Sequence, residues 1–299
     1  MPKRKVFDAH FHIGNWGTRE VFGRMVTPLG PVPNRGYVPG MEHLAHKECE
    51  TYIQRYGITR GVVVSNYLAM DPAYSLIKLN RTVLEAANQV KQLYAAIFVS
   101  PLPKEWPYTQ KALVWLDSPR VKALKMTSTS WAPYSVSPKT WDGAFRRNMH
   151  AILERAREKR LPIQFHTGHV NSLPEQFDEL LEEIGRTCIV HLVHSGESVS
   201  SCIQFVPLFQ KWLEAGYQVY CDTSLCPGFV LPWLLRTLEH QPGGYDRILF
   251  ATDSPWGNFP SEYWKVESLG IPAELKRKIF WLNAERLYEK SPVNEWSDK

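Results

Sequence analysis

No apolar run in this chain is long enough to span a bilayer, so a helical membrane protein is excluded. Met1-Pro2-Lys3-Arg4-Lys5 leads into an expected strand and not into the apolar segment of a signal peptide, and the expectation is a cytoplasmic protein. The five cysteines are an odd number without framework spacing, which speaks against a disulfide scaffold and for reduced thiols. Cys188 and Cys221 fall inside expected strands, as core residues would. A stripe of basic residues interleaved with aromatics is also lacking. The net charge of +5 is spread over separate groups such as Arg146-Arg147 and Lys276-Arg277-Lys278. Nucleic acid is therefore not an expected partner, whereas a small anionic substrate is permitted. There is no internal repeat beyond a strand–helix rhythm, no low-complexity tract and no interdomain linker.

The composition, 44% hydrophobic and 22% charged over 299 residues, is that of an ordinary globular chain with a large core. Short apolar runs are expected as strands over 5–10, 60–65, 93–99, 121–126, 162–166, 188–194, 218–222 and 247–252. Amphipathic stretches predict helices over 43–56, 74–90, 109–116, 140–159, 174–184, 199–215, 227–240 and 272–288. Strands apolar on both faces that alternate with helices indicate a parallel sheet buried on both sides. Eight such pairs predict an α/β protein, a (β/α)8 TIM barrel with an eight-stranded parallel sheet. An open doubly wound sheet would carry a Gly-rich phosphate turn after its first strand, where this chain has His12-Ile13-Gly14-Asn15-Trp16. Residues 1–299 are expected as a single domain with a long loop insertion after strand 1. That insertion, 14–40, has several Gly and Pro, three arginines and no sustained period, which suits a lid or substrate loop. Residues 291–299 read as a loose tail.

The run Asp8-Ala9-His10-Phe11-His12 carries the chemistry. Alternate residues of a strand share a face, so Asp8, His10 and His12 are expected on one side and Phe7, Ala9 and Phe11 on the other. Two adjacent imidazoles at a strand end suit a metal ion. His166, His194 and Asp253 each follow a short apolar run in the same way, in Phe-His-Thr-Gly, Val-His-Ser-Gly and Thr-Asp-Ser-Pro. A barrel would bring all of these strand ends to one mouth, where three imidazoles and a carboxylate, plus a water, make a reasonable catalytic site for zinc or a similar divalent ion.

Together these motifs resemble the metal-dependent amidohydrolase superfamily, specifically the branch that includes aminocarboxymuconate-semialdehyde decarboxylase and related hydrolases. The closing Asn283-Ala284-Glu285-Arg286-Leu287 resembles that branch too. The resemblance implies that His10, His12, His166 and Asp253 bind one divalent metal, zinc first, with manganese or iron as alternatives. It implies an acid/base or carbonyl-polarising role for His194, beside Asp253 as the other catalytic residue. Lys125 matches a position at which some members use a carbamylated lysine to bridge two metals; in this branch it is read as a substrate-pocket residue. Asp8 matches a near-site acid that does not ligate.

Other residues at the expected mouth have two readings. Trp16, Trp131 and Trp256 could wall a flat apolar substrate, against plain packing. Arg19, Arg24 and Arg35 could clamp a carboxylate, against solvated loop charges. His169 could line the mouth or sit on a surface loop. His191 lies three residues before His194 and by strand parity should face the helical layer. The function favoured by the sequence is a metal-dependent hydrolase that activates water against a small amide, lactone or ester. The alternative is a non-oxidative decarboxylase of an aromatic or unsaturated acid, and the third reading is a non-catalytic metal-binding barrel. The expected partner is a small carboxylate-bearing or aromatic molecule, with no nucleic acid and no membrane; a homo-oligomer is compatible with the sequence.

Overall fold

The computed structural model describes residues 4–13, 19–21, 24–27, 30–31, 45–65, 76–254 and 256–290, with backbone alone for 19–21, 24–27, 30–31 and 45–48. The first strand, β1 (Phe7–Ile13), precedes a small antiparallel sheet of β2 (Arg19–Val21), β3 (Arg24–Thr27) and β4 (Gly30–Pro31). This little sheet lies within the expected lid. The rest of that segment and the tail at 291–299 fall outside the described residues. Helix α1 (Ala45–Tyr56) follows, and the strand–helix alternation then runs to the end of the described chain.

The remaining barrel strands are β5 (Arg60–Ser65), β6 (Leu93–Phe98), β7 (Val121–Met126), β8 (Ile163–His166), β9 (Val190–Val193), β10 (Val219–Asp222) and β11 (Ile248–Leu249). Each is parallel to its neighbour, in the order β1-β5-β6-β7-β8-β9-β10-β11. The first and last strand regions also meet. Ala9 N donates to Phe250 O at 2.9 Å, Asp253 N to His10 O at 2.9 Å and His12 N to Ser254 O at 2.8 Å. Those bonds close the sheet into the expected (β/α)8 barrel and leave little exposed edge. Val62, Val63 and Val64 of β5 are all fully buried, as β-branched residues should be in a sheet covered on both faces.

The covering helices are α2 (Leu76–Gln89), α3 (Trp106–Leu113), α4 (Gly143–Lys159), α5 (Pro174–Ile184), α6 (Val199–Glu214), α7 (Val230–Thr237), α8 (Phe259–Glu267), α9 (Ala273–Arg277) and α10 (Asn283–Tyr288). Side-chain caps start several of them: Asp142 accepts from Phe145 N at 3.0 Å, Ser198 from Ser201 N at 3.2 Å and Asn258 from Ser261 N at 3.0 Å. Helix α8 is additional to the sequence expectation, although Asn258 followed by Phe259-Pro260 is a helix start. The expected helix over 272–288 is α9 and α10 joined by a π turn, Lys278–Leu282. Asn283 there donates to Tyr245 O and Ile248 O, both at 2.8 Å, and so fastens the last helix beside β11.

Candidate metal centre and its cavity

The first strand departs from the alternation that its sequence suggests. Asp8 is in register with Gly61 but Phe11 with Val63, so β1 holds one extra residue between them as a bulge. A bulge reverses the facing of everything before it. Asp8 consequently turns toward α1, where it accepts from Tyr52 Oη at 2.9 Å, Thr252 Oγ1 at 2.7 Å and Thr252 N at 3.0 Å. Phe11 packs on Tyr52 as well, its ring occupying the space a side chain at Gly61 would need. The expected shared face of Asp8, His10 and His12 is thus corrected: only the two histidines face the mouth. Burial raises the Asp8 carboxyl to about 7 against the pull of its hydrogen bonds.

His10 and His12 converge on one oxygen. Asp253 Oδ1 is 3.1 Å from His10 Nε2 and 3.0 Å from His12 Nε2, while its Oδ2 is 3.9 Å from His194 Nε2. The second nitrogen of each ring is held from behind. His10 Nδ1 meets Gln164 Oε1 at 3.0 Å, His12 Nδ1 meets Ser65 O at 3.1 Å, and His194 Nδ1 meets Ser224 Oγ at 2.8 Å. His166 stands beside His194, with ring centres 4.8 Å apart, and its Nε2 is 3.4 Å from Glu197 Oε2. His169 stacks on His166 at 4.6 Å, and its Nε2 is 3.8 Å from the same Glu197 oxygen.

The protonation state of His10 follows from its partners. Gln164 Nε2 donates to the Ala9 carbonyl, an obligate acceptor, so the amide oxygen is the atom that faces His10 and Nδ1 must carry the proton. Nε2 is then a lone pair. Burial holds His10 and His194 well below the ordinary histidine range, seconded by the Lys125 charge at His10 and by His166 and then Lys125 at His194, and burial lowers His166 as well. A lone pair 3.1 Å from a carboxylate oxygen is repulsive unless a cation lies between them. Neither His10 Nε2 nor His166 Nε2 makes a hydrogen bond among the described residues, although both are buried. Imidazoles held through their far nitrogen, as His10, His12 and His194 are, with a carboxylate among them, form the donor set that a divalent ion takes.

Among the described residues, two donor groups are close enough to grip an ion, His10–His12–Asp253 and His166–His169–Glu197. Both open into one cavity of about 310 Å³ that also reaches His194. Phe98, Leu225 and Trp256 give the cavity apolar wall, and Lys125, Thr127 and Thr129 add polar groups. Lys125 is buried, with no hydrogen bond to Nζ among the described residues. Burial lowers its ammonium to about 8, partly offset by Asp253, Asp222 and Glu197.

The loops holding these groups are strained. His194, Ser195, Gly196 and Glu197 take positive φ in succession, and Leu225 and Asp253 do so on neighbouring loops. Gly168, at φ +101°, admits the Glu197 turn: a Cβ there would lie 2.7 Å from both Glu197 Cβ and Gly196 O.

Of the side chains singled out in the sequence, His12, His166, His194, Asp253, Lys125, His169 and Trp256 meet at this cavity, and His10 lies just behind its wall against Asp253. Trp131 does not; it is buried against Phe145 at 5.4 Å, in the core. The side chains of Trp16, Arg19, Arg24 and Arg35 lie outside the described residues. His191 also differs from expectation. It faces the barrel interior beside its register partner Gln164, bonded to Asp222 and Tyr288. Parity counting fails there because β9 ends at Val193 and His194 already belongs to the strained turn. Glu197 was missed, although an acid three residues after a strand-end histidine, in His-Ser-Gly-Glu, was a usable signal.

A parallel eight-stranded barrel whose C-terminal mouth gathers imidazoles and a buried carboxylate is a scaffold of the TIM-barrel class with donor groups that could hold a metal. The amidohydrolase family model matches residues 8–290, and the chain belongs to that family. No curated protein matches it. Among solved structures it is similar to an uncharacterised TIM-barrel protein of Bordetella bronchiseptica, with 15% identity, TM-score 0.67 and coverage of 95% of this chain and 98% of the other. It is also similar to a dihydroxybenzoic acid decarboxylase of Polaromonas sp. JS666 with bound manganese and 2-nitroresorcinol, at 15% identity and TM-score 0.60, covering 96% and 97%. A third likeness is to 5-carboxyvanillate decarboxylase of Sphingomonas paucimobilis, at 11% identity and TM-score 0.59, covering 95% and 98%. At these identities the likeness establishes the fold.

Proposed function

We propose that this protein is a divalent-metal-dependent, non-oxidative decarboxylase of a small aromatic or unsaturated carboxylic acid. The observation that carries the reading is Lys125: a buried ammonium without a hydrogen-bond partner among the described residues, at a cavity whose wall is partly apolar. Burying an unpaired charge is costly, and a substrate carboxylate would offset that cost. Phe98, Leu225 and Trp256 would face the flat part of the substrate and keep water out. The hydroxylated-benzoate decarboxylases among the solved structures of this fold lend support. The hydrolase favoured by the sequence alone gives way to this reading, since a water-activating site does not call for an enclosed cation.

His10, His12, His166 and Asp253 would hold the ion, reading His166 as the ligand from the second donor group. When bound, the ion would orient the substrate's oxygens and withdraw charge from it. Asp253 and His194, 3.9 Å apart, can share the proton that the reaction consumes. The pair delivers that proton to the carbon bearing the carboxylate, the carbon–carboxylate bond breaks, and its electron pair returns to the unsaturated system as carbon dioxide leaves. Solvent then restores the proton. Incubating the metal-loaded protein with a panel of hydroxybenzoates tests the proposal: carbon dioxide and the decarboxylated ring should form in equal amounts. Turnover of amides or lactones without carbon dioxide would restore the hydrolase reading.

A further inference from the structure

Beneath the donor cluster lies a buried polar network, and its chemistry allows one direction of donation. Gln164 Nε2 donates to Ala9 O and to Tyr288 Oη, both at 3.0 Å. Tyr288 Oη, having accepted that bond, has its own proton for His191 Nδ1 at 2.7 Å. His191 then carries its proton on Nε2 and donates to Asp222 Oδ2 at 2.9 Å. On the other side, Ser224 Oγ donates to Asp222 Oδ1 at 2.6 Å and so accepts from His194 Nδ1 at 2.8 Å. Asp222 Oδ1 also accepts from His194 N at 3.2 Å and Ser224 N at 3.0 Å. All the side chains in this chain of bonds are buried.

We infer that Asp222, His191 and Tyr288 are positioning residues: a directed hydrogen-bond chain anchored on Asp222 fixes the tautomer and aim of His10 on one branch and His194 on the other. Asp222 receives only donors, so every bond outward from it has a set sense. One branch runs through His191, Tyr288 and Gln164 to His10; the other runs through Ser224 to His194. Both end with a proton on Nδ1 and a lone pair on Nε2 toward the cavity. None of Asp222, His191 and Tyr288 lines the cavity; Asp222 touches His194 only at its backbone nitrogen, and each acts on the imidazoles through a neighbour. Outer partners of this kind typically govern metal affinity by about 10–100-fold.

Two measurements on the full-length protein test the chain, using zinc as the probe. Tyr288→Phe removes one hydroxyl and retains the ring contact with Phe7 at 5.8 Å. It should weaken zinc binding, read by chelator competition, by about 10-fold or more at an unchanged metal-free melting temperature. Nitrogen-15 spectra of the metal-free protein should show His10 and His194 protonated on Nδ1. In Asp222→Asn the fixed state of His194 should be lost, because an amide there offers a donor where Ser224 also donates. If Asp222→Asn does not fold, Ser224→Ala provides the same comparison. Zinc affinity within twofold of wild type in Tyr288→Phe would overturn the His10 branch, and an unmoved His194 tautomer would overturn the other. An Nε2 proton on either histidine in the wild type would overturn the whole chain. The zinc readout rests on the metal-centre reading and the tautomer readout does not, so a wild type that binds no zinc would refute that reading while the spectra still decided the chain.

Discussion

Lys125 and Asp253 do opposite things with buried charge. Lys125 is enclosed without a hydrogen-bond partner among the described residues, so Lys125→Met should leave the fold as stable as before or more so. The same change should raise KM for a carboxylate substrate. Truncating one member of a buried charge pair costs about 2–5 kcal/mol, or about 30-fold and upward in binding. Melting curves beside steady-state kinetics separate the two effects; an unchanged KM would mean that the carboxylate binds elsewhere. Asp253→Asn should retain metal, more weakly, while kcat falls by about 10²–10⁴-fold, because the amide oxygen can still approach an ion but cannot take up a proton. A metal-replete Asp253→Asn enzyme with near-normal turnover would move the proton to His194 alone.

At the scale of elements, the sequence conveyed the strands well and their local irregularities poorly. Residues 60–65 and 121–126 are strands over the expected spans, because an apolar run bounded by polar turns leaves little choice. The bulge in β1 left no trace in Asp-Ala-His-Phe-His; it depends on pairing with β5 and on Phe11 settling over Gly61, both contacts distant in sequence. The parity error at His191 has a similar origin, in a strand that stops one residue before the histidine from which it was counted. His10, His12, His166, His194 and Asp253 were legible because a strand-end position and a donor side chain are both local facts. Glu197 reaches the site through a turn of positive φ that residue type alone does not announce. That turn depends on Gly168, and Gly168→Ala should lower the melting temperature through a strained φ worth about 1–2 kcal/mol together with the clash against Glu197. An unshifted melting curve would show that the two loops can part without cost.

Across the whole molecule, the barrel encloses its thiols. All five cysteines are buried. Burial pushes Cys202 up to about 11 and Cys226 up to about 12, and raises Cys188 and Cys221 as well. The thiolate is the reactive form, so raised values suppress it. Alkylation at pH 8 should be negligible in the native state and complete after unfolding; prompt native labelling would show that the barrel opens readily. Closure of the first and last strand regions by Ala9, His12 and Asp253 also explains why His12 and Asp253, 241 positions apart in the chain, form one site.

The central claim is that a metal held at the barrel mouth removes carbon dioxide from an aromatic or unsaturated acid. Its most direct test is carbon dioxide release from a hydroxybenzoate panel by three preparations of the full chain: metal-loaded, chelator-treated, and His10→Ala/His12→Ala. Carbon dioxide should appear only with the first, and the double variant should melt near the wild type while holding little metal, since ligands at a strand end contribute little to the core. Carbon dioxide release that survives chelation, or full metal occupancy in the double variant, would contradict the account.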